Sequence, residues 1–215
     1  FGTFDVENYG DLLFPLIAKE YLRDLDVRLL AISPTNQKTR YVDAAPVMTF
    51  EYWKKHITEF RAIIVGGGNI IHWRDFSNIL KEYKGTSYPE LWAYASLLAI
   101  SRNIPVIWNA PGVIDSSKVP IDKTELTNII KRVDLLTVRD KKSAEIIYKW
   151  TDCKANIIPD TAAGLHMLWS KKELLDKFHT SDIGIAIPNG KKITALHIKE
   201  RSLCGWSIDS FVKKL

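Results

Sequence analysis

Five short, almost uninterrupted apolar runs alternate with longer amphipathic stretches, and this alternation constrains the fold more than any other feature of the chain. The runs are "VRLLAI" (27–32), "AIIVGG" (62–67), "PVIWNA" (105–110), "LLTVRD" (135–140) and "NIIPD" (156–160). Parallel strands are covered on both faces and therefore need continuous hydrophobicity rather than strict alternation. Predicted helices lie between them at 12–24, 51–59, 89–102, 123–132 and 141–149. The pattern predicts an α/β fold, a Rossmann-like parallel sheet of at least five strands with helices on both faces. Four of the runs end in polar or glycine-rich residues: 66–69, 109–112, Arg139 with Asp140, and Pro159 with Asp160. Ligands of such sheets bind beyond the carboxyl ends of the strands. The loops at 6–11, 66–72, 109–115 and 139–143 are therefore expected to share one edge.

The pattern breaks after "AAGLHMLW". A charged stretch, "SKKELLDKFHTSD" (170–182), precedes an apparent new strand, "IGIAIP" (183–188). A basic, turn-rich segment and a short amphipathic run, "SIDSFVKKL", follow. One strand and one helix cannot bury a core of their own. Residues 1–180 are expected to form a Rossmann-like domain, and 181–215 the start of a second α/β domain that this sequence does not complete.

The 215 residues are 46% hydrophobic, enough for a packed core, and the net charge of +5 comes from 30 basic against 25 acidic residues. The basic residues are dispersed and form no arginine-rich tract, which argues against a nucleic-acid partner. A modest positive balance suits acidic small molecules or a peripheral place on an anionic membrane. Cys153 and Cys204 are too far apart for a zinc or disulfide framework, which fits a reducing, cytoplasmic setting. No apolar run approaches the ~20 residues of a membrane span.

The stretch "FDVENYGDLLFPLIAKEYL" (4–22) leads a polar turn straight into an apolar helix. Asp11 is placed to cap that helix, and Pro15 to fall early in it, where a missing N–H matters little. A helix N-terminus behind such a loop suits an anion, although an ordinary loop-to-helix junction has the same sequence. "VGGGNIIHW" (65–73) sets three glycines after a strand, so that backbone N–H groups can approach a ligand. Ile71 stands where a dinucleotide fingerprint has its third glycine, and no Lys-Ser/Thr pair follows to make a Walker loop. "TVRD" (137–140) places Arg139 at a strand end, able to grip a carboxylate or phosphate through two parallel hydrogen bonds, or to pair with Asp140 and fix a loop. Asp160 in "IPDTA" stands before a helix, where it can cap, orient an arginine or act as a base. His72, directly after the glycines, is the best placed histidine. No histidine pair has metal-ligand spacing, and neither a metal nor a cofactor is expected. A G-x-S-x-G elbow is absent as well.

Together, Asn8-Tyr9-Gly10-Asp11, Gly66-Gly67-Gly68, Asn109-Ala110-Pro111-Gly112, Thr137-Val138-Arg139-Asp140 with Ser143, and Pro159-Asp160 resemble the polysaccharide pyruvyl transferase family in order and spacing. The resemblance implies a two-domain, glycosyltransferase-B-like architecture. It also implies transfer of pyruvyl carbons from phosphoenolpyruvate to a sugar hydroxyl of a cell-surface glycan, forming a pyruvate ketal. The implied partners are the phosphoenolpyruvate donor and a sugar or polysaccharide acceptor. Asn8, Gly10, Asp11, Gly67, Gly68, Asn69, His72, Asn109, Arg139 and Asp160 are the candidate substrate-binding residues. The family's acid resembles a histidine in an Arg-Leu-His type motif, which this sequence lacks, so no catalytic residue is assigned. A nucleotide-sugar glycosyltransferase or a non-catalytic glycan-binding domain are the other readings of the same pattern.

Overall fold

A computed structural model describes residues 1–73, 88–116, 119, 121–182 and 185. The chain divides into two compact units, Phe1–Ser170 and Lys171–Leu215. In the first unit the strands are β1 (Ala31–Ser33), β2 (Val47–Thr49), β3 (Ile63–Gly66), β4 (Val106–Asn109), β5 (Leu135–Val138) and β6 (Asn156–Ile157). Its α-helices are α1 (Tyr9–Tyr21), α2 (Phe50–Lys55), α3 (Ala95–Ser101), α4 (Lys123–Lys131) and α5 (Lys141–Thr151). In the second unit α6 spans Lys171–His179. The expected strand 183–188 falls outside the described residues except for Ile185, whose N–H bonds Ser181 O at 2.9 Å in the helical i→i−4 pattern rather than a strand ladder. The basic segment from 189 onward lies outside the described residues. No helix among the described residues is long and apolar enough to cross a membrane.

The fold is Rossmann-like α/β. Among the described residues all strand pairings are parallel, in a four-stranded sheet ordered β3-β4-β5-β6 and a separate pair, β1-β2. The single sheet of at least five strands expected from the apolar runs is thus divided, and residues 1–4 explain where. This segment bonds to β3 on one side, with Phe1 N to Ile64 O at 2.6 Å and Gly66 N to Phe1 O at 3.1 Å. On the other side Gly2 N reaches Ile32 O at 3.1 Å. A regular parallel ladder would next bring the N–H of residue 34 to Gly2 O, but Pro34 has none. Ser33 fills the gap with its hydroxyl, donating to Gly2 O at 3.1 Å and accepting from Phe4 N at 2.8 Å. Ser33→Ala should therefore leave two buried backbone groups unpaired and cost roughly 1–3 kcal/mol. Thermal melting checks this, and an unchanged midpoint would show that the bridging segment is held by other contacts.

One face of the four-stranded sheet carries Ile63, Val65, Val106, Trp108 and Val138 into the main core, with Trp53 from α2, Trp92, and Leu126, Ile129, Ile146 and Ile147 from α4 and α5. Trp108 Nε1 bonds Ser96 Oγ at 3.1 Å and Trp92 Nε1 bonds His72 O at 3.2 Å, so these large side chains are buried with their polar atoms satisfied. On the opposite face α1 packs with a 3-10 helix, Thr161–Met167. Helices were expected over both faces, yet the described ones leave the amino-terminal half of this face open. Leu135 is 45% exposed there, and Ile64 and Ile107 line an apolar cavity of about 690 Å³.

Candidate functional site

Because every strand runs the same way, the loops after β3, β4 and β5 emerge together. They are laced by backbone bonds: Gly112 N to Gly68 O at 2.9 Å, Ile71 N to Gly112 O at 3.2 Å and Arg139 N to Pro111 O at 3.4 Å. Thr137 Oγ1 accepts from Ala110 N at 2.9 Å, and Ser143 Oγ accepts from Val113 N at the same distance, which pins the turn between them. Ala110 takes a left-handed φ of 52° within that turn. A non-glycine residue held there costs on the order of 1–3 kcal/mol, and such strain gathers at working sites.

The first turn of α1 closes the edge. The helix begins at Tyr9 instead of residue 12, with Asn8 as its N-cap, so Asp11 lies inside it and is not the cap. Asp11 Oδ2 instead accepts from Asn8 Nδ2 at 2.8 Å and from Thr3 Oγ1 at 3.3 Å. Pro15 falls in the second turn, later than expected, and leaves the Asp11 carbonyl without its intrahelical donor. Gly68, at φ +59°, lets the loop meet the carboxylate: a Cβ there would stand 2.6 Å from Asp11 Oδ1.

Arg139 ties the loops to one another. Its Nη1 donates to Asp160 Oδ2 at 3.0 Å, its Nη2 to Asn69 Oδ1 at 2.5 Å, and its Nε lies 3.4 Å from Asp140 Oδ2. Both aspartates are fixed by caps: Asp140 Oδ1 accepts from Ser143 N at 2.7 Å, and Asp160 Oδ1 from Ala162 N at 2.9 Å. Burial raises the Asp11 pKa above its usual carboxylate value, against the lowering effect of Thr3, Asn8 and Arg139; the Asp160 charge adds to the rise. For Asp140 burial pulls the same way but is outweighed by Ser143 and by Arg139, and its pKa falls below the ordinary value.

The structure thus brings together Asn8, Asp11, Gly68, Asn69, Arg139 and Asp160, and leaves the other candidates elsewhere. His72 is 4% exposed, and its ring lies 3.6 Å from that of Tyr88, in the core. Gly10 sits on the exposed side of α1, where a Cβ would meet only Asn8 Oδ1 at 3.5 Å. Gly67 faces the rings of Phe4 and Phe14, and Asn109 turns its amide to Thr161 Oγ1 at 3.1 Å. Thr3 and Gly112, neither of them among the candidate binding residues, also join the cluster. A Cβ on Gly112 would stand 2.7 Å from Arg139 Nε and also strike Asn69 Oδ1, so only glycine leaves room for the guanidinium. The signal was its place at the end of Asn-Ala-Pro-Gly, after a strand. Nothing local marked Thr3.

A family model described as polysaccharide pyruvyl transferase matches residues 8–209. The chain belongs to this family. No curated protein and no solved structure matches it. The match covers every member of the cluster except Thr3. A polysaccharide pyruvyl transferase acts on a polysaccharide acceptor, whose hydroxyls donate hydrogen bonds to carboxylates. One guanidinium set among Asp11, Asp140 and Asp160 gives these four side chains an excess of negative charge.

Proposed function

We propose that the protein transfers the pyruvyl carbons of phosphoenolpyruvate to a pair of acceptor hydroxyls, closing a cyclic ketal and releasing phosphate. The convergence of Asp11, Asn69, Arg139 and Asp160 around Gly68 and Gly112 carries this reading. A proton adds to the donor's methylene carbon, and a sugar oxygen bonds to the neighbouring carbon as its hydroxyl proton leaves. The bond from that carbon to the phosphate oxygen then breaks, and the second hydroxyl adds in its place with loss of its own proton. Asp11 Oδ1 is the receiver for a hydroxyl proton, since Thr3 and Asn8 both occupy Oδ2 and hold the carboxylate still. Arg139 donates one Nη N–H each to Asp160 and Asn69 while its Nε lies beside Asp140, and it offers the second N–H of each Nη to the donor carboxylate. The first-turn N–H groups of α1 add their dipole to the donor phosphate. The histidines His72, buried, and His166, exposed on the 3-10 helix, stand outside the cluster, and we assign the methylene proton to neither. In this reading the first unit is the Rossmann-like domain of a glycosyltransferase-B-like architecture.

The test is to incubate the full-length protein with phosphoenolpyruvate and a panel of diol-bearing saccharides. Phosphate release should require a saccharide, and the product mass should grow by pyruvate less water. Gly112→Ala, which forces Arg139 and Asn69 from their positions, should suppress release by about a hundredfold, as loss of one preorganised contact does. Consumption of nucleotide sugar with phosphoenolpyruvate untouched would favour the glycosyltransferase reading instead.

A further inference from the structure

Beside the first turn of α1 lies a second cluster that the chemistry above leaves unused. Asp5, Glu7 and Tyr9, alternate residues leading into the helix, each fasten the loop that follows β1. Asp5 Oδ2 accepts from Thr35 N at 2.7 Å and from the Thr35 hydroxyl. Glu7 meets Arg40 through its guanidinium and its backbone N–H, both at 2.9 Å. Tyr9 donates its hydroxyl to Asp43 Oδ2 at 2.5 Å. Held at three points, the loop presents Tyr41 beside Tyr9, with ring centroids 4.9 Å apart and planes inclined by 55°. The Arg40 guanidinium lies 5.3 Å over the Tyr41 ring and backs it. Both rings are half-buried, while Glu7 and Asp43 at their rim are exposed.

We propose that Tyr9 and Tyr41 form a second saccharide subsite, which holds the sugar residue next to the one being pyruvylated. This rests on the pyruvyl-transfer reading above. A pyranose has a C–H face that packs on an aromatic ring and a rim of hydroxyls that donate to carboxylates. A tilted tyrosine pair edged by carboxylates meets both demands. Tyr9 precedes Asp11 by two residues, so their Cα atoms lie within about 7.6 Å. Roughly 200° of helical turn puts their side chains on opposite sides of the first turn, so a sugar chain must pass over the end of the helix to meet both. A sugar chain laid across that turn can keep one residue at Asp11 and its neighbour on the tyrosines.

Steady-state kinetics of the full-length protein test this, with methyl glycosides of glucose, galactose and mannose set against the corresponding trisaccharides. The wild type should favour the trisaccharide of its preferred sugar by about tenfold in kcat/KM, as one stacking contact would provide. Tyr41→Leu should bring that ratio to about one, and Tyr41→Trp, which keeps an aromatic face, should retain it. An unchanged ratio in Tyr41→Leu overturns the proposal. So does an equal loss on both acceptors, which would show that Tyr41 only holds its loop. Should no acceptor be turned over, the transfer reading has failed. Saturation-transfer NMR with the same trisaccharides then decides the subsite, with signal expected for the wild type and lost in Tyr41→Leu; no signal for the wild type rejects it.

Discussion

Arg139→Ala should cut transfer from phosphoenolpyruvate by more than an order of magnitude while the protein remains folded. Losing a desolvated charged contact costs on the order of 2–5 kcal/mol, roughly 30-fold to several thousandfold in kcat/KM. The side chain is 24% exposed and anchors no hydrophobic core, so little packing goes with it. Asp140 and Asp160 keep their caps through their other oxygens, and α5 and the 3-10 helix retain their starts. The stability loss should stay near the 1–3 kcal/mol of unpaired polar groups. Arg139→Lys should recover little, because a single ammonium cannot replace Nη1, Nη2 and Nε acting on three partners. Donor binding by calorimetry beside a melting curve separates the outcomes. Donor affinity equal to the parent's would remove Arg139 from the donor site, and an unfolded variant would make its pairing with Asp140 and Asp160 purely structural.

Asp11→Asn should have an equally large effect on activity and the opposite effect on stability. An amide cannot take a hydroxyl proton, and loss of a general base costs about 10²–10⁴-fold. The stability change follows from the raised pKa, caused first by burial. The folded state holds the Asp11 proton more tightly than the unfolded chain does. The wild type therefore has its full stability below the unfolded value, near 3.8, and loses part of it as pH rises through the higher folded value. Asparagine removes that loss. Asp11→Asn should consequently melt higher than the wild type at neutral pH, with a gain that shrinks as pH falls toward 3.8. Melting curves across this range check the sign. A variant that melts lower at neutral pH would mean that the Thr3 and Asn8 bonds outweigh burial.

Much of the fold was legible because buried parallel strands must be apolar throughout. The runs at 62–67, 105–110, 135–140 and 156–160 contain β3 to β6, and α4 and α5 begin at the expected residues. The first run misplaced its strand. Val27 is 50% exposed and the ladder starts only at Ala31, because hydrophobicity marks what is buried but not where a partner strand begins. β2, three half-buried residues, is too short to show any period. The predicted helix 89–102 opens with a π-helical turn, Glu90–Tyr94, which wider i→i+5 bonds create and no composition marks.

For the candidate site, the sequence by itself determined which residue types stand at the strand ends, since glycines, an arginine and aspartates there are local choices. It also determined that these ends share one edge, because parallel strands linked by crossover helices leave no other arrangement. Only the tertiary structure decided who meets whom. Asn69 lies 70 residues from Arg139 and Asp160 lies 21 residues from it, while Tyr9 and Asp43 are 34 apart. It also sent His72 into the core and drew Thr3 and Gly112 into the cluster. The reason is physical: backbone preference and burial act over a few neighbouring residues, whereas the direction of a side chain at a loop depends on packing between segments far apart in the chain.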